Sequence, residues 1–426
     1  MSVVTATVRR DLLRDLAIAG LLVALTAIVY LLVSGPAARR QSSAPHFVLL
    51  ADALLHERLW VDPARAAQLG DITPFAGHYY VSFPPMAAFL MLPFVAVVGT
   101  RFNDALFTLL LGAGNAALAY ALVRRLSRPG FASCGLALGR LEAIAVAATL
   151  AFGTVHFYAS LMGRVWFTAH VVAVTFLLLY LLECAGRGRP LVAGAALAAA
   201  FLARTPAAFG ALFWITLALR QSRNPRHLAW QVLQFGAAPA LAAALLLVLK
   251  MARFGSPLDF GYEKMAVARQ LEAGLRAHGL FSLHFLPRNL EALLLRPPLL
   301  DTRSLARWQD TVAVPSRLGR LLAMSERTRG FPFPVKFDPW GTGIWAVSPV
   351  LLFCLRPPPQ DGLRAFGAAW LSALTIAGPN LLYYNTGWYQ FGYRFALDFL
   401  PLLLVPLAMG LRRPLHSLWR SAFVFL

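Results

Sequence analysis

The stretch SFPPMAAFLMLPFVAVVG, residues 82–99, decides how the rest of the chain is laid across a membrane. It is apolar enough to cross, but it carries Pro84, Pro85 and Pro93. Only about fourteen residues follow the double proline, which is short for a hydrocarbon core of ~30 Å. If the stretch crosses, every later loop changes side and the arginine-rich loops fall outside, against the positive-inside rule. If it lies at the interface, Arg9, Arg10, Arg14, Arg124, Arg125, Arg128, Arg140, Arg187, Arg189, Arg220, Arg223, Arg226, Arg356, Arg364, Arg412, Arg413 and Arg420 all fall inside. The short outer turns then keep only Arg164, Arg204 and Arg394. Charge therefore selects an interfacial 82–99.

Outward from that stretch, apolar runs predict spans at 16–35, 103–123, 143–162, 165–185, 190–203, 206–219, 228–249, 341–356, 364–383 and 395–411. The expected fold is an all-α integral membrane protein of about ten transmembrane helices. Both termini are inside, and two outer-face loops, 36–102 and 250–340, carry interfacial helices. One integral domain over 1–426 is the simplest organisation. Composition agrees, since 58% of residues are hydrophobic and the mean hydropathy is +0.62, against roughly 45–50% apolar residues in soluble domains. Segment 16–34 is long for a signal-peptide core and many spans follow it, so it reads as a retained first helix. The final SAFVFL has the composition of a further span's start, as a truncated sequence would.

Three cysteines, Cys134, Cys184 and Cys354, cannot form a disulfide framework, and no CxxC or Cys/His cluster suggests zinc. The topology puts them near inner helix ends, where thiols stay reduced. The net charge of +20 comes from 39 Lys+Arg against 19 Asp+Glu, and only Lys250, Lys264 and Lys336 are lysines. The outer segment 250–340 keeps a basic excess and should attract anionic lipids. Nucleic acid is excluded as a partner, because an outward loop between spans meets none. Residues 262–296 have the helical apolar spacing of interfacial helices, and FPFPVKFDPW at 331–340 suits headgroup depth.

No P-loop, GxGxxG, HExxH or GxSxG motif is present, no cofactor is implied, and a divalent metal has no supporting ligand pattern. Candidates are isolated polar residues on the outer face. Residues 42–85 contain an amphipathic stretch around Asp52, then a turn carrying Asp71, followed by His78, Tyr79 and Tyr80. A partly desolvated carboxylate there can take a proton from a hydroxyl. Asp71 beside Gly70 also suits an Asx-type turn, and Asp52 suits a cap or a pair with Arg58. Arg164, Arg204, Arg253 and Arg394 stand at span ends facing one compartment, where the guanidinium fork fits phosphate. Snorkelling is the bland alternative, as is an i,i+4 pair of Arg394 with Asp398. His156 and His170 read as packed polar residues. Tyr383, Tyr384, Trp388, Tyr389, Phe391 and Tyr393 suit either sugar stacking or an interfacial belt.

The layout resembles the GT-C class of polytopic glycosyltransferases, the group containing the dolichyl-phosphate-mannose and aminoarabinose transferases. The likeness lies in HFVLLADALLHERL (46–59), GHYYVSFPPMAAFLMLPFVAVVG (77–99), ARFGSPLDFGY (252–262) and FGYRFALDFLP (391–401). The resemblance implies a membrane glycosyltransferase of the bacterial inner membrane that moves a sugar from a polyprenyl-phosphate donor to an acceptor on the outer face, with inversion. Members carry an acid soon after the first span. This chain has none before Asp52, so the catalytic carboxylate carries over to Asp71 or Asp52, with Arg204, Arg253, Arg394, Arg164, His78, Tyr79 and Tyr80 as substrate-binding residues. The alternative is a lipid-linked saccharide transporter, or a non-catalytic scaffold of the same fold.

Overall fold

The computed structural model describes residues 2–66, 69–132, 138–265, 267, 269–300, 335–336, 340–387 and 390–411. Cys134, Trp388, Tyr389, most of 331–340 and the terminal SAFVFL lie outside them. In chain order, helix α1 (Ser2–Ser34) is followed by α2 (His46–Leu55), α3 (Pro63–Ala66), a hairpin of β1 (Thr73–Phe75) and β2 (His78–Tyr80), and α4 (Met86–Val98). Then come α5 (Asp104–Leu126), α6 (Arg140–Phe152), α7 (Val155–Met162), α8 (Val165–Ala185), α9 (Pro190–Ala203), α10 (Ala211–Gln221) and α11 (Pro225–Phe254). The outer segment contributes α12 (Arg269–His278), α13 (Leu286–Leu290), β3 (Leu299–Leu300), β4 (Val335–Lys336) and β5 (Trp340–Thr342). The chain closes with α14 (Ile344–Val347), α15 (Leu363–Leu382), β6 (Gln390–Gly392) and α16 (Leu400–Gly410).

The protein is mainly helical, and among the described residues five helices are long and apolar enough to cross a membrane: α1, α5, α8, α11 and α15. A sixth is formed if α6 and α7, bent by 53° to each other, make one span. The expected count of about ten is not reached by helix length, for a local reason. The 14 residues of α9 rise only about 21 Å. The runs 206–219, 341–356 and 395–411 each open on a 3₁₀ segment or are split by one, at Thr205–Gly210, Pro349–Leu355 and Arg394–Asp398. Pro206 and Pro349 enter at the first positions of two of these, and a proline pushes the residue before it out of helical dihedrals. The proline-rich stretch 82–99 forms a short helix. Its helix α4 begins at Met86 directly after Pro85 and, at 13 residues, is about 20 Å long.

What faces outward supports a lipid surrounding. On α11, Trp230, Leu233, Leu241 and Val248 are exposed, and on α1 so are Leu16, Leu21, Leu25 and Ile28. Each such side chain left in water forgoes roughly 1.5–3 kcal/mol, so hydrocarbon must cover these faces. Inside, Trp214 stacks on Phe235 at 4.5 Å and on Phe131 at 5.8 Å, and its indole N–H donates to the Gly188 carbonyl at 3.0 Å. A second apolar cluster joins α2, the proline stretch, α4 and the first half of α8. Close approach fixes two glycines. A Cβ at Gly194 would stand 2.1 Å from the Phe235 carbonyl, where α9 meets α11. Gly163, with φ +60, would meet the Ala105 backbone at 2.3 Å.

The expected inner end is tied by ion pairs. Asp15 on α1 accepts from Arg140 at 2.8 Å, from Arg128 at 3.0 Å and from the Tyr120 hydroxyl at 2.9 Å, and Arg124 lies 3.3 Å away. The opposite end is stitched by short polar contacts. The Ser42 hydroxyl and amide both donate to Asp104 at the start of α5, and Asn103 caps that helix by accepting from the Leu106 amide. Strand β5 runs parallel to β6, pairing Trp340 with Gln390 and Thr342 with Gly392. The Ser282 amide donates to the Leu382 carbonyl at the end of α15. These ties bring the outer segment against the loop that carries Arg394.

Candidate functional site

Asp71 follows Gly70 in the turn between α3 and β1, and its backbone is left-handed, with φ +56. Aspartate tolerates that region because its short polar side chain avoids the steric cost that branched residues meet. Its Oδ2 accepts from the indole N–H of Trp166 at 2.7 Å, across 95 residues of sequence. Trp166 is in the first turn of α8, which is itself pinned by the Val165 amide donating to the Ala44 carbonyl at 3.1 Å. The carboxylate is half-buried. Burial pushes its pKa above the ordinary carboxylate range, while the Trp166 bond and the Arg394 and His46 charges pull it partly back.

Arg394 begins the 3₁₀ turn before α16 and is buried. Its backbone N–H donates to Gln390 Oε1 at 2.8 Å. Its guanidinium lies among rings, 5.4 Å from the centre of Phe395, 5.5 Å from Phe167 and 6.0 Å from Trp166. Arg204, at the C-terminal end of α9, lies 5.3 Å from the same Phe395 ring. Asp71, Trp166, Arg394, Phe395 and Arg204 thus form one neighbourhood.

Arg204 has a partner that its sequence position did not reveal. Its Nε and Nη2 bind Asp398 Oδ1 and Oδ2 at 2.9 and 2.8 Å, a bidentate pair. Asp398 is fully buried and also accepts from His170 Nδ1 at 2.9 Å and from the Asn380 amide at 3.0 Å. The Arg204–Asp398 pair joins α9 to the turn before α16. A neutral pair binds an anion less strongly than a free cation does. Arg204 nonetheless keeps 18% side-chain exposure.

Beside this neighbourhood a recess of about 50 Å³ lies between the proline stretch and the end of α11. Pro84, Pro85, Leu246 and Leu249 line it together with Lys250, Arg253, Phe260 and Tyr262. Arg253 donates to the Val81 carbonyl at 3.0 Å, and its buried Nε has no hydrogen-bond partner among the described residues. The Lys250 ammonium lies 3.4 Å from the centre of the Phe260 ring. Tyr262 links the two areas. Burial raises its hydroxyl pKa to about 12, while Arg204 lowers it and Asp71 raises it.

The other candidates are placed differently. His78 stacks on Trp60 at 4.4 Å, and Tyr79 pairs with Val61. Tyr80 lies edge-on to Phe254, beside Arg253. These three hold the hairpin together, and Tyr80 is the one beside the recess. Asp52 is the acceptor of a local pairing, 3.9 Å from Arg58 and 3.7 Å from His56, near the exposed end of α2. Arg164 is half-buried at the N-terminal boundary of α8, where its carbonyl accepts the first helical amides. Cys184 and Cys354 are free and buried, and His156 and His170 are packed within the helices. Among the described residues, no three His, Cys, Asp or Glu side chains gather to hold a metal ion.

Sequence reading missed Trp166, His46, Tyr262 and Lys250, and it did not find Arg204 as a partner of Asp398. A usable signal existed for His170, Asn380 and Asp398. Each is a polar residue in an apolar stretch, where polarity is expensive unless it is partnered.

No protein-family model matches the sequence, and no curated protein matches it. Two solved structures resemble the chain. One is ArnT from Cupriavidus metallidurans bound to undecaprenyl phosphate, with 14% identity over 92% of this chain and 60% of that one, and a TM-score of 0.49. The other is the oligosaccharyltransferase of Archaeoglobus fulgidus in its apo form, with 16% identity over 95% of this chain and 54% of that one, and a TM-score of 0.49. The chain spans little more than half the length of each.

Proposed function

We propose that this protein is a membrane glycosyltransferase that moves a sugar from a polyprenyl-phosphate donor to an acceptor hydroxyl on the outer face, with inversion. The observation that carries the reading is a carboxylate, Asp71, held by a tryptophan and raised by burial, in one neighbourhood with Arg394 and Arg204 and linked through Tyr262 to a cation-bearing apolar recess. The recess suits the first isoprene units, and Lys250 and Arg253 suit the phosphate. Anionic lipids suit the basic surface of the outer segment.

In the transfer step Asp71 accepts the proton of the acceptor hydroxyl as that oxygen forms its bond to the anomeric carbon. The bond from that carbon to the phosphate oxygen breaks on the opposite face, and its electron pair leaves with the lipid phosphate. Lys250, Arg253 and Arg394 stabilise the charge that develops there. Arg204, held by Asp398, contributes a fixed dipole and hydrogen-bond donors rather than a full net charge. Asp52, committed to His56 and Arg58, stays outside the chemistry.

The test is transfer from polyprenyl-phosphate mannose, glucose and aminoarabinose by the full chain in vesicles, comparing Asp71→Asn with Asp52→Asn. Loss of general-base catalysis costs about 10²–10⁴ in rate. The expected result is that loss for Asp71→Asn and near-wild-type turnover for Asp52→Asn. Full turnover in both single variants and in the double variant removes these carboxylates as the base, and absence of transfer by the wild-type protein favours the transporter reading.

A further inference from the structure

His46 is the first residue of α2 and is fully buried. Its Nε2 lies 2.8 Å from the Gly70 carbonyl oxygen, which can only accept, so that nitrogen carries the hydrogen. Nδ1 is buried with no hydrogen-bond partner among the described residues. Gly70 immediately precedes Asp71, whose left-handed backbone belongs to the same turn. A non-glycine residue persists in that conformation only where its surroundings over-determine it. Two bonds do so here. Trp166 holds the Asp71 carboxylate from α8, and His46 holds the peptide before it from α2. The two anchors also touch, with the His46 and Trp166 rings 6.5 Å apart and the His46 and Phe83 rings edge-on at 6.0 Å.

We infer that His46 is a positioning residue for Asp71: its Nε2–H bond to Gly70 sets the turn that aims the carboxylate at the transfer site. This deepens the function proposed above and rests on it. Packing alone is not the whole role of the side chain, because an apolar residue of similar size would fill the same space but leave the Gly70 carbonyl without this donor. The bond to one backbone oxygen is what a histidine supplies here and what a phenylalanine does not.

The experiment compares His46→Phe and His46→Gln in the full chain in nanodiscs. Glutamine can place an amide N–H where Nε2 stands and an acceptor where Nδ1 stands, so it preserves the bond to Gly70. Two readouts are taken: hydrogen exchange of residues 69–75, and transfer kinetics together with undecaprenyl phosphate affinity. Loss of one buried hydrogen bond speeds local exchange roughly tenfold. Faster exchange in this turn is therefore expected for His46→Phe, with kcat at least about tenfold lower and lipid affinity unchanged, and with both restored in His46→Gln. Wild-type exchange in His46→Phe overturns the inference, as does equal damage in both variants with loss of lipid binding, which marks a packing role. If the wild-type protein transfers no sugar, the exchange comparison still decides whether His46 sets the turn, while the transferase reading itself falls.

Discussion

The two ends of the helix bundle both place carboxylates among arginines, and they do so to different ends. At the expected inner end a single buried carboxylate, Asp15, is shared by three arginines that are 18% to 46% exposed and by the Tyr120 hydroxyl. At the outer end Asp398 is fully buried and saturated by Arg204, His170 and Asn380. Asp71 stands nearby, its carboxylate held by the Trp166 indole N–H at 2.7 Å. A carboxylate shared among three arginines ties helices together and does little else. A carboxylate that is desolvated and lightly bonded can change protonation state, which is the property a general base needs.

The largest expected effect follows from the depth of the outer pair. Asp398→Ala leaves Arg204 buried without its counter-charge and strands the donors of His170 and Asn380. Breaking one partner of a buried pair typically costs about 3–5 kcal/mol. Thermal unfolding in detergent should therefore fall by far more than in any inner-end variant, and an equal shift at the two ends would erase the distinction between them. Next comes Arg253→Ala. A hydrogen bond to a charged group is worth about 1.5–3 kcal/mol, so undecaprenyl phosphate affinity should drop roughly tenfold to a hundredfold by scintillation proximity or thermophoresis. Asp15→Asn should be the mildest. Partly exposed pairs contribute about 0.2–1 kcal/mol each and are screened by salt, so its small loss in unfolding temperature should shrink further at high ionic strength.

Much of this architecture was legible in the sequence, and the illegible parts share a cause. Hydropathy located α1, α5, α8, α11 and α15, and three prolines gave the short α4, because these are properties of contiguous residues. Asp71, Arg204 and Arg394 were recognisable as polar residues at span ends, where polarity is costly. Their partners were not. Trp166 meets Asp71 across 95 residues, Arg204 meets Asp398 across 194, and His170 meets Asp398 across 228. No local period encodes such pairings. Local spacing offered only Arg394, four residues from Asp398, and gave no sign of Arg204. Helix continuity failed for the same reason at Pro206 and Pro349, where apolar content marked a span but the backbone could not remain α-helical.

The central claim is that Asp71 accepts the acceptor's proton, and it is tested most directly by the pH dependence of transfer in wild-type protein and Asp71→Asn. A base works only when deprotonated, and burial raises the pKa of this carboxylate. Wild-type kcat/KM should therefore climb as pH rises through a value above the ordinary range of exposed aspartates, near 3.9, and then level off. The Asn variant should lie about 10²–10⁴ lower and lack that limb, while binding undecaprenyl phosphate as the wild type does. An identical pH limb in Asp71→Asn, at wild-type rate, would contradict the account.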